Sequence, residues 1–264
     1  MTTVSYEVRD HVAILTLNRP QSLNSLDLEM IEDLRQTTAR AAFAPEVRAV
    51  LLCAAGSHFM AGGDLRWFRE QLALPAADRQ KRFERVIADV HSSILTLKSM
   101  PKPAIAAVNG AVAGFGMSLM MACDLVVAAE DAYFTLAYSN IALSPDGGAT
   151  WSLPRQVGLK QAMEIALLGD RFDAERARQL GLLNRVVPAS QLPAAALELA
   201  QRLASGAAGA LARTKALLNQ SLETPLPAQL QAEQHAFAAC AADPDFGEGL
   251  AAFFERRPAS YDRG

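Results

Sequence analysis

Short apolar segments that end at turn residues alternate with amphipathic helical segments over most of this chain. The strand-like runs cover residues 4–8, 12–17, 47–53, 104–108 and 125–128. A helix between two strands favours parallel pairing, because the chain must cross over to return in the same direction. The first two runs instead flank the turn Asp10-His11 and predict a β-hairpin. The pattern as a whole predicts an α/β fold.

Helical patterns fill the intervals between these runs. Asp27 is a candidate N-cap for a helix that ends near Pro45, and further helices are expected over residues 81–97 and 116–122. Residues 72–78 show weak periodicity and predict a mobile loop beside a site.

The strand signals stop at about Pro188. Ala- and Leu-rich helices are then expected over residues 191–206, 209–221, 226–241 and 246–256. The 264 residues are enough for one large core with an appendage. We therefore predict a core domain over residues 1–189 and a helical region over residues 190–264.

Composition limits the classes of partner. The formal net charge of -3 provides no basic surface, so we expect neither nucleic acid nor a membrane as a partner. The three cysteines lack the spacing of a metal site, and no metal is expected. The chain has no signal-peptide pattern and no apolar run of about 18 residues, which favours a cytoplasmic protein. A hydrophobic content of 51% favours an oligomer.

Two glycine-rich turns follow buried strands and precede helices. The first covers residues 55–65 and the second covers residues 109–117. Such turns expose backbone N–H groups, and the second also lies at a helix start, where the helix dipole favours negative charge. Either turn alone can equally serve close packing of a strand against a helix.

Together with Cys123-Asp124-Leu125, these turns resemble the enoyl-CoA hydratase/isomerase (crotonase) superfamily. The resemblance extends from about Val4 to Val187. Secondary matches are Asn18-Arg19-Pro20, Leu23-Asn24, Leu153-Pro154-Arg155 and Gly181-Leu182-Leu183. It implies a crotonase-type spiral of ββα repeats with a C-terminal helical trimerisation region, and a homotrimer or a dimer of trimers.

The resemblance also implies an acyl-CoA substrate whose thioester oxygen lies in an oxyanion hole of two backbone N–H groups. These groups would belong to Ala61 and Phe115, where the family usually has a small residue at the second position. The residues expected to bind the substrate are Arg19, Met60, Gly62, Gly63, Asp64, Leu65, His91, Gly114, Ser118 and Tyr138. Arg19 is a candidate for the phosphates of coenzyme A. Because coenzyme A is part of the substrate, no separate cofactor is expected.

The carboxylates indicate the reaction. Hydratases of the family use two glutamates to add water, but this chain has Ser118 and Tyr138 at those positions. Neutral hydroxyls are poor bases near neutral pH. Moving a double bond needs one base that removes a proton and returns it elsewhere, and Asp146 is the candidate.

The segment around Asp146 resembles the ring-epoxide isomerases of phenylacetyl-CoA breakdown and the Δ3,Δ2-enoyl-CoA isomerases, which have an aspartate there. Taken alone, Pro145-Asp146-Gly147-Gly148 is also typical of a simple β-turn. An acid/base aspartate in an apolar pocket would have its pKa raised by desolvation. Residues 66–85 and distant helices are expected to form the pocket walls.

The sequence also allows three functions besides isomerisation. In the first, His91, Tyr138 and Asp146 fall where 4-chlorobenzoyl-CoA dehalogenases have histidine, tryptophan and a nucleophilic aspartate. Asp146 would then attack carbon, and His91 would activate water for hydrolysis. The second is a hydratase-like lyase, and the third is an acyl-CoA-binding protein without catalytic activity.

Overall fold

A six-stranded sheet lies at the centre of the protein in the computed structural model, which describes residues 2–261. Its strands are β1 (Val4–Arg9), β2 (Val12–Leu17), β3 (Ala49–Ala54), β4 (Ala104–Val108), β6 (Leu125–Ala129) and β9 (Arg185–Val187), in the order β1-β2-β3-β4-β6-β9. The β1–β2 pair is antiparallel, and every other neighbouring pair is parallel. The predicted hairpin and α/β fold are therefore confirmed.

A second, smaller sheet lies beside the first. It consists of β5 (Ala111–Ala113), β7 (Tyr133–Thr135) and β8 (Phe172–Asp173), in the order β5-β7-β8. These strands were not predicted, because they are too short to give a period-two pattern in the sequence.

The α-helices of residues 2–261 differ widely in length. They are α1 (Leu28–Phe43), α2 (Leu65–Glu70), α3 (Ala76–Ser99), α4 (Phe115–Ala122), α5 (Ala149–Val157), α6 (Leu159–Leu168), α7 (Ala174–Gln179), α8 (Leu192–Ala204), α9 (Ala208–Gln220), α10 (Leu226–Ala241) and α11 (Pro244–Glu255). The carboxylate of Asp27 accepts a hydrogen bond from Met30 N, which confirms the predicted N-cap of α1. The prediction of a loop over residues 72–78 is wrong in part, because α3 already begins at Ala76.

Both faces of the six-stranded sheet are covered. On β3, Val50 and Leu52 pack into the core beneath α1 and α3, whereas Ala49 and Leu51 pack against α8 on the opposite face. Alternate residues of a strand point to opposite faces, so a strand buried on both faces is apolar throughout. This explains the continuous apolar run that predicted β3.

The helix α8 corrects the predicted domain boundary. Leu192, Ala196 and Ala200 belong to the same buried cluster as strands of the sheet. The first helix after residue 189 is therefore part of the core and not of a separate appendage. Without α8, one face of the sheet would be exposed. The predicted domains also include Met1 and residues 262–264, which lie outside the described residues.

The later helices attach to the core through a buried charge. On α9, Lys215 Nζ lies 2.7 Å from Asp124 Oδ2 and donates to the carbonyls of Leu97 and Lys102. Helices α9 to α11 nevertheless expose large apolar side chains, including Leu218, Phe237, Phe253 and Phe254. Within residues 2–261, no helix is long and apolar enough to span a membrane.

Candidate active site

One cavity of about 530 Å³ brings most of the predicted site residues together. Of these, the residues that line it are Ala61, Gly62, Gly63, Leu65, His91, Gly114, Phe115, Tyr138 and Asp146. The volume is in the range of small-molecule sites. Arg19, Met60, Asp64 and Ser118 do not line this cavity, and their contacts give each of them a different role.

The first glycine-rich turn is held between two other segments. Met60 is fully buried, and its N–H and C=O bond to Ala111 and Ala113 on one side. On the other side, the N–H of Ala61 donates to the carbonyl of Leu23 at 3.0 Å. Met60 thus positions the turn through its backbone. The Ala61 N–H already has an acceptor, and we therefore correct its assignment as an oxyanion donor.

Gly63 takes its place as the candidate donor. Leu26 N donates to Gly62 O, and Asp64 N donates to Leu26 O, which makes a parallel bridge between Leu26 and Gly63. The Gly62 C=O and the Gly63 N–H belong to one planar trans peptide and point in opposite directions, so the Gly63 N–H faces away from Leu26. The Gly63 N–H makes no hydrogen bond within residues 2–261, and Gly63 lines the cavity.

The second turn contains the other candidate donor. Phe115 is the first residue of α4, so its N–H has no acceptor within the helix, and the helix dipole adds positive potential there. Gly114 precedes it with φ 52° and ψ -123°, a conformation that glycine tolerates. A Cβ on Gly114 would lie 3.4 Å from Gly62 Cα, so the two turns are in contact.

The Phe115 side chain packs beneath the turn that contains Asp146. It is 3% exposed, and a Cβ added to Gly147 would lie 2.7 Å from its ring. The family usually has a small residue at this position. The larger Phe115 side chain points into the core and therefore leaves the Phe115 N–H in place as a candidate donor.

Asp146 is partly buried at the cavity wall, and its carboxylate has one direct polar partner among the described residues. Tyr138 Oη donates to Asp146 Oδ1 at 2.5 Å. Burial raises the pKa of Asp146, while the hydrogen bond from Tyr138 and the neighbouring His91 oppose that rise. Burial, followed by the charge of Asp146, also raises the pKa of Tyr138, so its hydroxyl stays protonated.

Two further side chains hold the backbone of this turn. Ser118 is 1% exposed, and its hydroxyl donates to the Asp146 carbonyl at 2.9 Å. The N–H of Gly147 donates to His91 Nε2 at 3.3 Å. His91 Nε2 is thus the acceptor of a backbone hydrogen bond from the turn. Ser118 and His91 thus fix Asp146 rather than contribute a second base.

Arg19 does not have the role predicted for it. Its guanidinium lies 3.0 Å from Asp27 Oδ2 and 3.3 Å from Asp64 Oδ2, and it also donates to the Ser25 carbonyl. Two carboxylates neutralise the charge that was expected to meet the phosphates of coenzyme A. Arg19 and Asp64 instead connect the segment after β2 to the first turn, and Asp64 also caps α2.

An aromatic wall of the cavity was not predicted from the sequence. Trp67, Phe68 and Phe83 pack with their rings inclined to one another and their centroids 5.2–5.7 Å apart. A Cβ on Gly63 would lie 2.6 Å from Phe68 Cζ, so this ring lies against the candidate oxyanion turn. The three rings fall within residues 66–85, which were expected to form the pocket walls. The only sign in the sequence that they could meet is their spacing along the helices α2 and α3.

The comparisons with known proteins show which family the chain belongs to. The sequence profile described as Enoyl-CoA hydratase/isomerase matches residues 7–264. The chain is 37% identical over 260 residues to a Rhodobacter capsulatus protein named Probable enoyl-CoA hydratase, covering 98% of this chain and 97% of that one. It is 35% identical over 261 residues to the 1,2-epoxyphenylacetyl-CoA isomerase of Escherichia coli, covering 99% and 98%.

A solved structure gives the same result for the fold. The crystal structure of an enoyl-CoA hydratase from Polaromonas sp. JS666 superposes with a TM-score of 0.93 at 36% identity, covering 98% of this chain and 99% of that one. The chain belongs to the enoyl-CoA hydratase/isomerase family, and its fold is the crotonase fold. Within the described residues, no group of three or more His, Cys, Asp or Glu side chains could hold a metal ion.

The raised pKa of Asp146 makes a prediction about stability. A carboxylate whose pKa is higher in the folded state destabilises that state at pH values above its folded pKa, and this effect disappears below its unfolded pKa of about 3.9. Asp146→Asn removes the partly buried charge and keeps an oxygen that accepts from Tyr138. We expect a higher melting temperature than wild type at pH 7 and a smaller difference at pH 4.

Thermal unfolding followed by circular dichroism at both pH values measures this difference. A side chain that served only the β-turn would give the opposite result, because its replacement would lower the melting temperature at pH 7.

Proposed function

We propose that the protein is an acyl-CoA isomerase, which moves a double bond or opens a ring epoxide in an enoyl- or aryl-acetyl-CoA thioester. Asp146 is its acid/base group, and the N–H groups of Gly63 and Phe115 stabilise the thioester oxygen. The observation that carries the proposal is that, among the described residues, only one of the two carboxylates at the cavity is available to act as a base. Asp27 and Asp146 line it, and Asp27 is already occupied by the α1 N-cap and Arg19.

The proposed reaction uses one base. The Asp146 carboxylate removes a proton from the carbon next to the thioester carbonyl, and the electron pair moves into the carbonyl oxygen. Two N–H donors stabilise the resulting negative charge, and each such donor contributes about 2.7–4 kcal/mol in other enzymes. The protonated Asp146 then returns the proton two carbons further along, and the double bond shifts by one position. The oxidation state does not change, so the reaction needs no cofactor beyond the coenzyme A of the substrate.

Hydration fits the same residues less well. Adding water requires a group that orients and deprotonates it, in addition to the group that protonates carbon. The Ser118 hydroxyl is buried and donates to the Asp146 carbonyl, while Tyr138 donates to the Asp146 carboxylate and has a raised pKa. Neither is a base for water. The Rhodobacter and Polaromonas relatives carry hydratase names, whereas the Escherichia coli relative carries an isomerase name.

A dehalogenase is also less favoured, because of the contacts of His91. In that reaction Asp146 would form an ester, and His91 would take a proton from water. The lone pair of His91 Nε2 instead accepts from the Gly147 N–H. A binding protein without catalytic activity would not need the pKa of a buried carboxylate to be raised at the cavity wall.

We also propose an oligomeric state and a cellular compartment. We propose a homotrimer or a dimer of trimers that covers the exposed apolar side chains of α9 to α11, among them Phe237 and Phe253. The three cysteines are free thiols, which supports a reducing, cytoplasmic compartment.

The proposed role of Asp146 predicts the outcome of its replacement. Asp146→Asn should lower kcat for isomerisation about a hundredfold to ten-thousandfold, the usual contribution of a positioned acid/base group. The assay uses a panel of enoyl- and aryl-acetyl-CoA thioesters in heavy water, scored for isomerisation, hydration and incorporation of deuterium into carbon. Asp131→Asn, at an exposed turn, is the matched control and should keep wild-type activity.

Several outcomes would contradict the proposal. They are full activity in Asp146→Asn, hydration without isomerisation in the wild type, or transfer of heavy oxygen from labelled water into Asp146, since the last would indicate an ester intermediate.

The contact between Tyr138 and Asp146 predicts a change in pH dependence. The carboxylate must be ionised to remove a proton, so kcat/KM rises as the pH rises through the pKa of Asp146. The hydrogen bond from Tyr138 lowers that pKa against the effect of burial. Tyr138→Phe should therefore move the acid limb of the pH profile to higher pH, while Tyr133→Phe should not. An unchanged acid limb in Tyr138→Phe would show that Asp146 is not the group that titrates.

A further inference from the structure

A second cavity of about 550 Å³, which we call the outer cavity, adjoins the active-site cavity. Leu65, Phe68, Phe83, Ile141 and Leu143 line both. These five side chains form the wall between the two spaces. The rest of the outer cavity is lined by Arg69, Leu72, Ala76, Arg79 and Gln80.

The outer cavity combines an apolar wall with two positively charged side chains. Arg69 and Arg79 line it together, and none of the described residues that line it is an aspartate or a glutamate. Arg79 donates to the Leu74 carbonyl at 3.3 Å, which leaves most of its N–H groups available. The Arg69 guanidinium has no hydrogen bond or ion pair to another described residue. A ligand that fits this space is apolar along most of its length and carries an anionic group.

The outer cavity lies close to the reacting carbon. Phe68 packs against Gly63, one of the two candidate oxyanion donors, and Arg69 is the next residue along α2. An acyl chain whose carbonyl oxygen is bound at Gly63 and Phe115 therefore starts beside the Phe68 ring. If it continues past that ring, it reaches the space that Arg69 and Arg79 border.

We propose that the outer cavity binds the far end of the acyl chain, and that this end carries a carboxylate. The preferred substrates are then thioesters of dicarboxylic acids. The methylene groups would cover the shared apolar wall, and the terminal carboxylate would bind the guanidinium groups of Arg69 and Arg79. This inference rests on the proposed function for the position of the acyl carbonyl.

The test compares ligands that differ only at the far end. Saturated monocarboxylic acyl-CoA thioesters of six to ten carbons and their ω-carboxylate counterparts are titrated into the full-length protein by calorimetry. These ligands cannot isomerise, so the measurement reports binding alone. At the best chain length, we expect the wild type to bind the carboxylate-ended ligand at least about tenfold more tightly than its methyl-ended partner, as a charge-assisted hydrogen bond provides.

The double variant Arg69→Met/Arg79→Met should lose that preference and keep its affinity for the methyl-ended ligands, which also shows that it is folded. The matched control is Lys81→Met/Arg85→Met, on α3 but lining a different cleft. It should behave as the wild type does.

Two outcomes would overturn the inference. An equal loss of affinity for both kinds of ligand in the Arg69/Arg79 variant would assign these arginines to the phosphates of coenzyme A. No preference for the carboxylate at any chain length in the wild type would show that the outer cavity does not receive one. Failure of the proposed function is a separate result, since it would be an absence of turnover with enoyl thioesters of either kind while the binding preference persists.

Discussion

The contact between the two glycine-rich turns is the constraint on which the rest of the site depends. Gly62 and Gly114 approach so closely that a Cβ on Gly62, where φ is 93°, would lie 3.3 Å from the Ala113 carbonyl oxygen. Larger side chains at either position would separate the turns. Their contact brings the N–H of Gly63 and the N–H of Phe115 to one end of the cavity. Glycines that look like ordinary turn residues in the sequence thus determine the spacing of the two candidate donors.

The helix α4, which contains the proposed donor Phe115, also holds Asp146, the proposed base. From α4, the Phe115 ring packs under Gly147, and the Ser118 hydroxyl binds the Asp146 carbonyl. Tyr138 adds a hydrogen bond to the carboxylate itself. The proposed oxyanion donor and the proposed base are therefore joined by direct packing and hydrogen bonds. A fixed arrangement of this kind lowers the cost of reorganisation during the reaction.

Local sequence was sufficient for the larger elements and for most of the residues at the site, but not for their hydrogen bonds. The apolar run of β3 and the cap at Asp27 could be predicted because each depends on neighbouring residues. The Ala61 N–H was assigned by position in a motif, and its bond to Leu23, 38 residues earlier in the chain, was not visible there. The role predicted for Arg19 was wrong for the same reason, since Asp64 is distant in sequence. Asp146 was predicted as the acid/base group, but the partners that hold it come from three other segments and could not be predicted.

The central claim is that Gly63 and Phe115, and not Ala61, bind the thioester oxygen. A crystal structure of the protein with a non-reactive acyl-CoA thioester tests it directly. We expect a thioester oxygen about 2.7–3.1 Å from the nitrogens of Gly63 and Phe115, the distance typical of oxyanion donors, with the Ala61 N–H still bonded to the Leu23 carbonyl. An oxygen bound to the Ala61 nitrogen, with the contact to Leu23 broken, would contradict the claim.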